Sequence, residues 1–150
     1  MYSLPVQTPL GLLILQGSDQ GLVSAHFDRS GQEFSSPLLE EAARQIQQWF
    51  ARERTSFALP LDMRGTKFQQ AVWQQLQAIP WGQTRSYGEI AASLGKPGAA
   101  RAVGGACGAN PLVLIIPCHR VLAGDGRLGG FSSGLERKQQ LLSFEGIKWK

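Results

Sequence analysis

The spacing of apolar positions changes several times along the chain, and each change predicts a different kind of element. Gly11-Leu12-Leu13-Ile14-Leu15-Gln16 and Leu22-Val23-Ser24-Ala25-His26-Phe27 flank the turn-rich Gly17-Ser18-Asp19-Gln20-Gly21, which predicts a β-hairpin over residues 11 to 27. From residue 36 the recurrence turns helical. Leu39, Ala42, Ile46, Trp49 and Phe50 share one face of a helix over residues 36 to 52. Ser36 suits its N-cap, Pro37 its first position, and Glu40 and Glu41 its first turn. In these settings His26 reads as a structural histidine and the Trp49–Phe50 pair as core. Nothing in this first part demands chemistry.

Leu59-Pro60-Leu61-Asp62 reads as a linker into a more helical segment. There Phe68, Ala71, Val72, Leu76 and Ile79 share a face, and Pro80-Trp81-Gly82 ends the helix. Ser86-Tyr87-Gly88-Glu89 has the pattern of a capping box, Ile90, Ala91 and Leu94 continue its helix, and Gly95 closes it. After Lys96-Pro97-Gly98 a further helix is expected from about Ala99 to Cys107, so the pair forms a helix-turn-helix candidate. The adjacent Gly104 and Gly105 cost that helix about 1 kcal/mol each relative to alanine. Two reasons are open: tight packing on a neighbouring element, or a smooth face against a ligand with Arg101 as its one long side chain. Asn110-Pro111 breaks the chain, and Leu112-Val113-Leu114-Ile115-Ile116 is wholly apolar and expected to be buried. Ser133 and Glu136 make a second capping box, at the start of a C-terminal helix that ends near Phe144-Glu145-Gly146.

With 150 residues, 43% of them hydrophobic and 17% charged, the chain has the material for one ordinary domain or two small ones. No stretch approaches the roughly 20 apolar residues of a membrane span, and Met1-Tyr2-Ser3-Leu4-Pro5 lacks the pattern of a signal peptide. A soluble, cytoplasmic protein is expected. Cys107 and Cys118 are too few for a disulfide scaffold, and with His119 and the distant His26 they do not make zinc-ligand spacing, so no metal is expected. The net charge of +4 is unevenly spread. Residues 1 to 60 carry four basic and six acidic residues, a balance of −2, whereas residues 61 to 150 carry eleven and five, a balance of +6. A basic C-terminal part fits contact with a polyanion or, equally, a solvated basic surface.

Candidate chemistry gathers where the apolar run ends. Pro117-Cys118-His119-Arg120 places a thiol beside two cationic residue types, surroundings that favour the nucleophilic thiolate. Neighbours in an extended chain point to opposite faces, so coupling Cys118 to His119 needs a turn at Pro117 or a bridging water. Glu145 is a candidate carboxylate to orient the histidine.

Asn110-Pro111 followed by Ile115-Ile116-Pro117-Cys118-His119-Arg120-Val121 resembles the active-site motif of the methylated-DNA–protein-cysteine methyltransferases, or O6-alkylguanine-DNA alkyltransferases. The resemblance extends through Arg64-Gly65-Thr66, Pro80-Trp81-Gly82, Ser86-Tyr87, Arg101-Ala102-Val103-Gly104 and Glu145-Gly146, most of residues 60 to 150. It implies an α/β, ribonuclease-H-like N-terminal domain over residues 1–60. A mainly α-helical, winged-helix-like domain with a helix-turn-helix would follow over residues 61–150. The implied activity is irreversible transfer of an alkyl group from O6-methylguanine, and also from O4-methylthymine, in DNA to Cys118, one event per molecule and without a cofactor.

The same resemblance implies roles for individual residues. Cys118 would be the acceptor, and His119, acting through a water and oriented by Glu145, would take the thiol proton. Asn110 would brace the turn. Tyr87 would help rotate the nucleotide's phosphate and protonate the departing guanine. Val121, Phe131 and Ser132 would hold the flipped base. Arg101 would fill the gap left in the duplex, with Tyr87, Lys96, Ala102 and Gly105 also on the DNA side. The partner would be double-stranded DNA, met in the minor groove with little sequence preference by a monomer. Cys107 lies outside the motif and reads as a structural thiol. Ser133 stands where the family often has glycine, which bears on tolerance for bulky adducts. Three rival readings are a lesion-binding alkyltransferase-like protein without transfer, a helix-turn-helix transcription factor, and a Cys–His hydrolase that turns over repeatedly.

Overall fold

A computed structural model describes residues 1–27 and 31–150, and its chain forms two compact units. The first comprises Met1–Arg64 with Pro111–Ile115, and the second Gly65–Asn110 with Ile116–Lys150.

In the first unit β1 (Tyr2–Thr8), β2 (Gly11–Gly17) and β3 (Leu22–Phe27) form an antiparallel sheet in that order. The expected hairpin is present as β2 and β3. The strand β1 was not anticipated, because Pro5 interrupts its pattern. Ser3 exchanges both of its main-chain hydrogen bonds with Phe34, so Pro5, two residues on, also turns its missing N–H away from β2. Pairing Leu4 with Leu15, Val6 with Leu13, and Leu13 with Phe27 puts one buried apolar row on a single face. Helix α1 (Pro37–Phe50) packs on β1 and β2 with Leu39, Ala42, Ile46 and Trp49 buried. Its N-cap is Ser36, whose side chain accepts from the Leu39 N–H, as the sequence predicts.

The 59–62 segment is not a free linker. Leu22 N–H donates to Pro60 O at 2.9 Å and Asp62 N–H to Leu22 O at 2.7 Å. A Cβ on Gly21 would come within 2.7 Å of the Pro60 oxygen, so only glycine lets the segment lie this close. Farther along β3, Ala25 pairs in the same way with Pro111 and Val113. The apolar run is buried throughout, as expected, but turns at Leu114, whose φ is 76°.

The second unit contains α2 (Lys67–Gln77), β4 (Arg85–Ser86), α3 (Tyr87–Ser93), α4 (Ala100–Gly108), β5 (Val121–Leu122) and α5 (Leu135–Phe144). Thr66 and Gln69 form a capping box on α2 that the sequence reading passed over; the predicted box of Ser86 with Glu89 on α3 is present. Trp73 is fully buried and its Nε1–H donates to Ala106 O at 2.9 Å, tying α2 to α4. Six residues, 94–99, join α3 to α4. A two-residue parallel ladder, Arg85 with Val121 and Ser86 with Leu122, brings the start of α3 beside the segment after Cys118. The expected Ser133–Glu136 capping box does not form. Gly134 is the N-cap of α5 at φ 95°, and no side chain caps this helix. The glycine turn, closed by Gly134 N–H to Phe131 O, puts Ser133 one residue too early.

Candidate active site

The turn at Pro117 exists and has a simple cause. Proline fixes φ near −65°, and Pro117 sits at φ −79°, ψ 64°, the geometry of an inverse γ-turn. Cys118 N–H accordingly donates to Ile116 O at 2.8 Å. The chain then enters a 3-10 turn, Cys118–Arg120, rather than continuing extended. Cys118, His119 and Arg120 are all buried in it, their side chains leaving in three directions.

Two of these directions converge on one carboxylate. His119 Nε2 lies 2.6 Å from Glu145 Oε2. Arg120 donates from Nε to Glu145 Oε1 at 2.9 Å and from Nη2 to Oε2 at 2.9 Å, while its Nη1 donates to Ile79 O at 2.7 Å. Gly82 N–H completes the set on Oε1 at 2.9 Å. Burial pushes the Glu145 carboxyl upward, but donors from His119, Arg120 and Gly82 outweigh it and hold the group at about 2. An ionised carboxylate only accepts, so Nε2 of His119 carries the proton. Nδ1 is then the basic atom, and it has no hydrogen-bond partner among the described residues. Burial keeps the imidazole below its ordinary value despite Glu145, which makes it neutral and able to accept a proton.

The third direction belongs to the thiol. Asn110 Nδ2 donates to Cys118 Sγ at 3.1 Å and to Ile116 O at 2.8 Å, bracing both the nucleophile and its turn. Burial raises the thiol to about 11 against the help of Asn110 and of the Lys138 ammonium. The expectation that His119 and Arg120 make cationic surroundings for the thiol is corrected here. The guanidinium is spent on Glu145 and Ile79, the imidazole is neutral, and the cation that acts on the thiol is Lys138. Burial therefore favours the protonated thiol at neutral pH, and a base beside it is what chemistry at this sulfur calls for.

Cys118 opens into a cleft of about 670 Å³ lined by, among others, Tyr87, Arg101, Gly104, Cys107 and Phe131. Tyr87, first residue of α3, lies across its wall. A Cβ on Gly129 would come within 2.7 Å of the Tyr87 hydroxyl, and the Gly130 backbone hydrogen-bonds to it. Burial raises the phenol, with the neighbouring thiols adding to the rise, so the hydroxyl keeps its proton at neutral pH.

Two family models together match most of the chain. Residues 1–63 match the family described as 6-O-methylguanine DNA methyltransferase, ribonuclease-like domain, and residues 67–147 match its DNA binding domain. The chain belongs to the 6-O-methylguanine DNA methyltransferase family. A methylated-DNA–protein-cysteine methyltransferase of Mycolicibacterium paratuberculosis is 46% identical over 147 residues, covering 93% of this chain and 89% of the relative. Its namesake in Methanosarcina acetivorans is 42% identical over 154 residues, covering 97% and 99%. The crystal structure of Mycobacterium tuberculosis OGT in complex with DNA superimposes with a TM-score of 0.89 at 43% identity, covering 97% of this chain and 92% of that one.

For a member of the methyltransferase family, the residues singled out in the sequence fall into three groups. Cys118, His119, Glu145, Asn110 and Tyr87 come together around the cleft and its floor. Phe131 lines the cleft, whereas Val121 is fully buried in β5 and Ser132 is exposed and outside the lining. Arg101, Ala102 and Gly105 are exposed on α4, and exposed Lys96 sets its ammonium 5.3 Å from the centre of the Phe68 ring. Gly105 would meet nothing within 4 Å if it carried a Cβ, and Gly104 would only touch the Tyr87 ring at 3.9 Å, so tight packing does not explain the glycine pair. Cys107, read as structural, is in the cleft wall, where helical spacing from Arg101 through Gly104 puts it. Lys138 was missed altogether. Its signal was a lysine on the same helical stripe as the buried Leu141 and Leu142.

Proposed function

We propose that this protein repairs alkylated DNA by moving the alkyl group from O6 of guanine to Sγ of Cys118, once per molecule. The observation that carries the reading is the buried Cys118 thiol at the cleft, braced by Asn110, next in sequence to a neutral histidine whose proton position is fixed by Glu145. In this reading His119 Nδ1 removes the thiol proton through one bridging water. The thiolate then attacks the alkyl carbon, the Sγ–C bond forms, the C–O6 bond breaks, and its electron pair passes to the guanine. Tyr87, protonated at neutral pH, donates to the departing base. The thioether product has no good leaving group, which ends the activity of that molecule.

An alkyl carbon inside a duplex cannot reach a buried thiol, so the nucleotide must leave the stack at a cost of a few kcal/mol. We read α3 and α4 as a helix-turn-helix whose second helix enters the minor groove. Its exposed Ala102 and Gly105 allow close approach and Arg101 fills the vacated position. Lys96 adds charge toward the phosphates. Such contacts favour little sequence preference, and a monomer suffices for them. O4-methylthymine, which presents an alkyl group on a comparable exocyclic oxygen, is the expected second substrate.

Mass spectrometry after incubation with duplex DNA carrying one O6-methylguanine tests the whole reading. The expected result is a gain of one CH2 unit on the peptide containing Cys118, saturating at one per protein. Tight lesion binding with no gain in mass would instead identify a lesion-binding protein, and repeated turnover on acyl substrates a hydrolase.

A further inference from the structure

Lys138 is a buried cation that the reaction as described does not use. It lies on α5, is fully buried, and has no carboxylate partner among the described residues. Its three N–H donors are instead met by three main-chain oxygens. They are Val121 O at 2.7 Å, Gly130 O at 3.0 Å and Leu128 O. Those carbonyls span the loop that supplies Ala123, Gly124, Gly130 and Phe131 to the cleft wall, and against which Tyr87 rests. Dipoles satisfy the ammonium's hydrogen bonds but do not cancel its charge, so a buried net charge persists, which is costly. A neutral donor would have served a merely structural staple at lower cost. The titratable groups within reach of this charge are Cys118 and His119 of the 3-10 turn and Cys107 of α4.

We propose that Lys138 is a positioning residue for alkyl transfer: held by the carbonyls of the 121–130 loop, its unpaired ammonium fixes the cleft wall and supplies the positive field under which Cys118 becomes a thiolate. The inference rests on Cys118 being the acceptor. It adds a second role, because loop and thiol answer to one cation. When the thiol loses its proton to His119, the new negative charge faces Lys138, and the pair is neutral overall. Burial lowers Lys138 to about 8, opposed by the two thiols, so the cation is present at neutral pH and is lost on modest alkalinisation.

The test compares wild type with Lys138→Met, which keeps the apolar stem, and Lys138→Arg, which keeps the charge. Two reactions of Cys118 are followed by peptide mass spectrometry: carboxamidomethylation by iodoacetamide across pH 6 to 10, and single-turnover methylation by lesion duplex. The expected result is that Lys138→Met moves the iodoacetamide profile up by about one pH unit and slows saturating methyl transfer about tenfold. Lys138→Arg should restore the position of the profile, and duplex affinity should change less than about twofold in both variants, because Lys138 is buried away from any phosphate. In wild type the rise of rate with pH should bend over near 8 as Lys138 deprotonates. A Lys138→Met profile superimposable on wild type, or losses shared equally by Met and Arg, would overturn the proposal in favour of a plain loop staple. If Lys138→Met does not fold, Lys138→Gln, which keeps two hydrogen-bond donors without the charge, is read in its place, and a profile superimposable on wild type would again overturn the proposal. A wild-type protein that gains no methyl from lesion DNA refutes the functional reading instead, and the iodoacetamide profiles still judge Lys138.

Discussion

The two units bury polar groups in opposite ways. Among the described residues of the first, the buried polar ones are Thr8 and Gln45, both uncharged. Thr8 closes the β1–β2 turn by donating to Gly11 O and accepting from Leu10 N–H. Gln45 exchanges two hydrogen bonds with the main chain of Ala58 and so fastens the segment after α1. In the second, Asn110, His119, Arg120, Lys138 and Glu145 are buried, and three of those five carry full charge. Burying neutral amides is nearly free once they are hydrogen-bonded, whereas burying ions is not. The first unit therefore spends polarity on holding loops, and the second concentrates an electrostatic cost in the turn that carries Cys118 and the groups behind it. That concentration marks a site built for chemistry more clearly than the cleft alone does.

The widest gap between the units should appear on replacing the sulfur. Cys118→Ala is expected to abolish methyl transfer completely while leaving lesion-duplex affinity and folding intact, since the thiol is an acceptor and not a phosphate contact. Any transfer retained by this variant, read by intact mass, would refute the assignment. Next comes a pair of arginines. Arg120→Met leaves Glu145 buried with neutral N–H donors but no cation, and should cost about 3–5 kcal/mol in urea denaturation, the penalty for breaking a buried pair. Arg44→Met on α1 removes an exposed, solvent-screened partner of Glu41 and should leave the urea midpoint close to that of wild type. Equal costs would mean the buried cluster is far better solvated than its geometry states.

Acid should separate the same groups. The carboxyl of Glu145 is held at about 2, below its ordinary 4.5, so its stabilisation is present above 4.5 and is lost as the pH falls through about 2. His119, depressed by burial, adds a loss of the same sign that begins below 6.5. Unfolding monitored at falling pH should thus show wild type weakening from below pH 6.5, and Glu145→Gln should lack the further fall that wild type shows below pH 4.5. An unchanged profile in that variant would show that another group controls acid sensitivity.

How much of this was legible beforehand follows from which signals are local. The hairpin, α1 with its Ser36 cap, the Ser86 box and the buried apolar run could be read because periodicity and capping act within a few residues. Cys118 and His119 stood out because rare residue types met at the end of that run. What stayed hidden depends on distant partners. Arg120 looked like a cation for the thiol until Glu145, far along the chain, claimed it. Pro5 obscured β1 because only the pairing of Ser3 with Phe34 shows which way its nitrogen faces. Lys138 looked like an ordinary helix lysine because its three acceptors are carbonyls, and main-chain oxygens leave no trace in a sequence. The failed cap at Ser133 belongs here too, since a single glycine at positive φ moved the helix start by one residue.

A smaller effect should distinguish the DNA-facing surface from the cleft floor. Arg101 is exposed on α4 and makes no part of the Glu145 cluster. Arg101→Ala is expected to slow repair of duplex lesions on the order of tenfold, about 1.4 kcal/mol, yet to leave reaction with a free O6-alkylguanine base unchanged. Equal losses with both substrates would argue that the arginine acts on the chemistry and not on extrusion of the nucleotide.

The smallest effect is a matched pair of helix caps, one in each unit. Ser36 and Ser86 both accept from the backbone N–H three residues on, at 3.3 and 3.0 Å, and alanine at either should cost about 1 kcal/mol of stability. The consequences for activity should differ. Ser36 begins a helix whose buried side chains are structural, so Ser36→Ala should lower the urea midpoint and leave the single-turnover rate alone. Ser86 precedes Tyr87 directly and belongs to the ladder with Leu122, so fraying there loosens the residue that spans the cleft. Ser86→Ala should therefore lower the rate by a few-fold at the same cost in stability, with Tyr87→Phe in the same background adding little if the hydroxyl is already misplaced. A rate unchanged by Ser86→Ala would mean that Tyr87 is held by Gly129 and Gly130 alone, and that the cap serves only the helix.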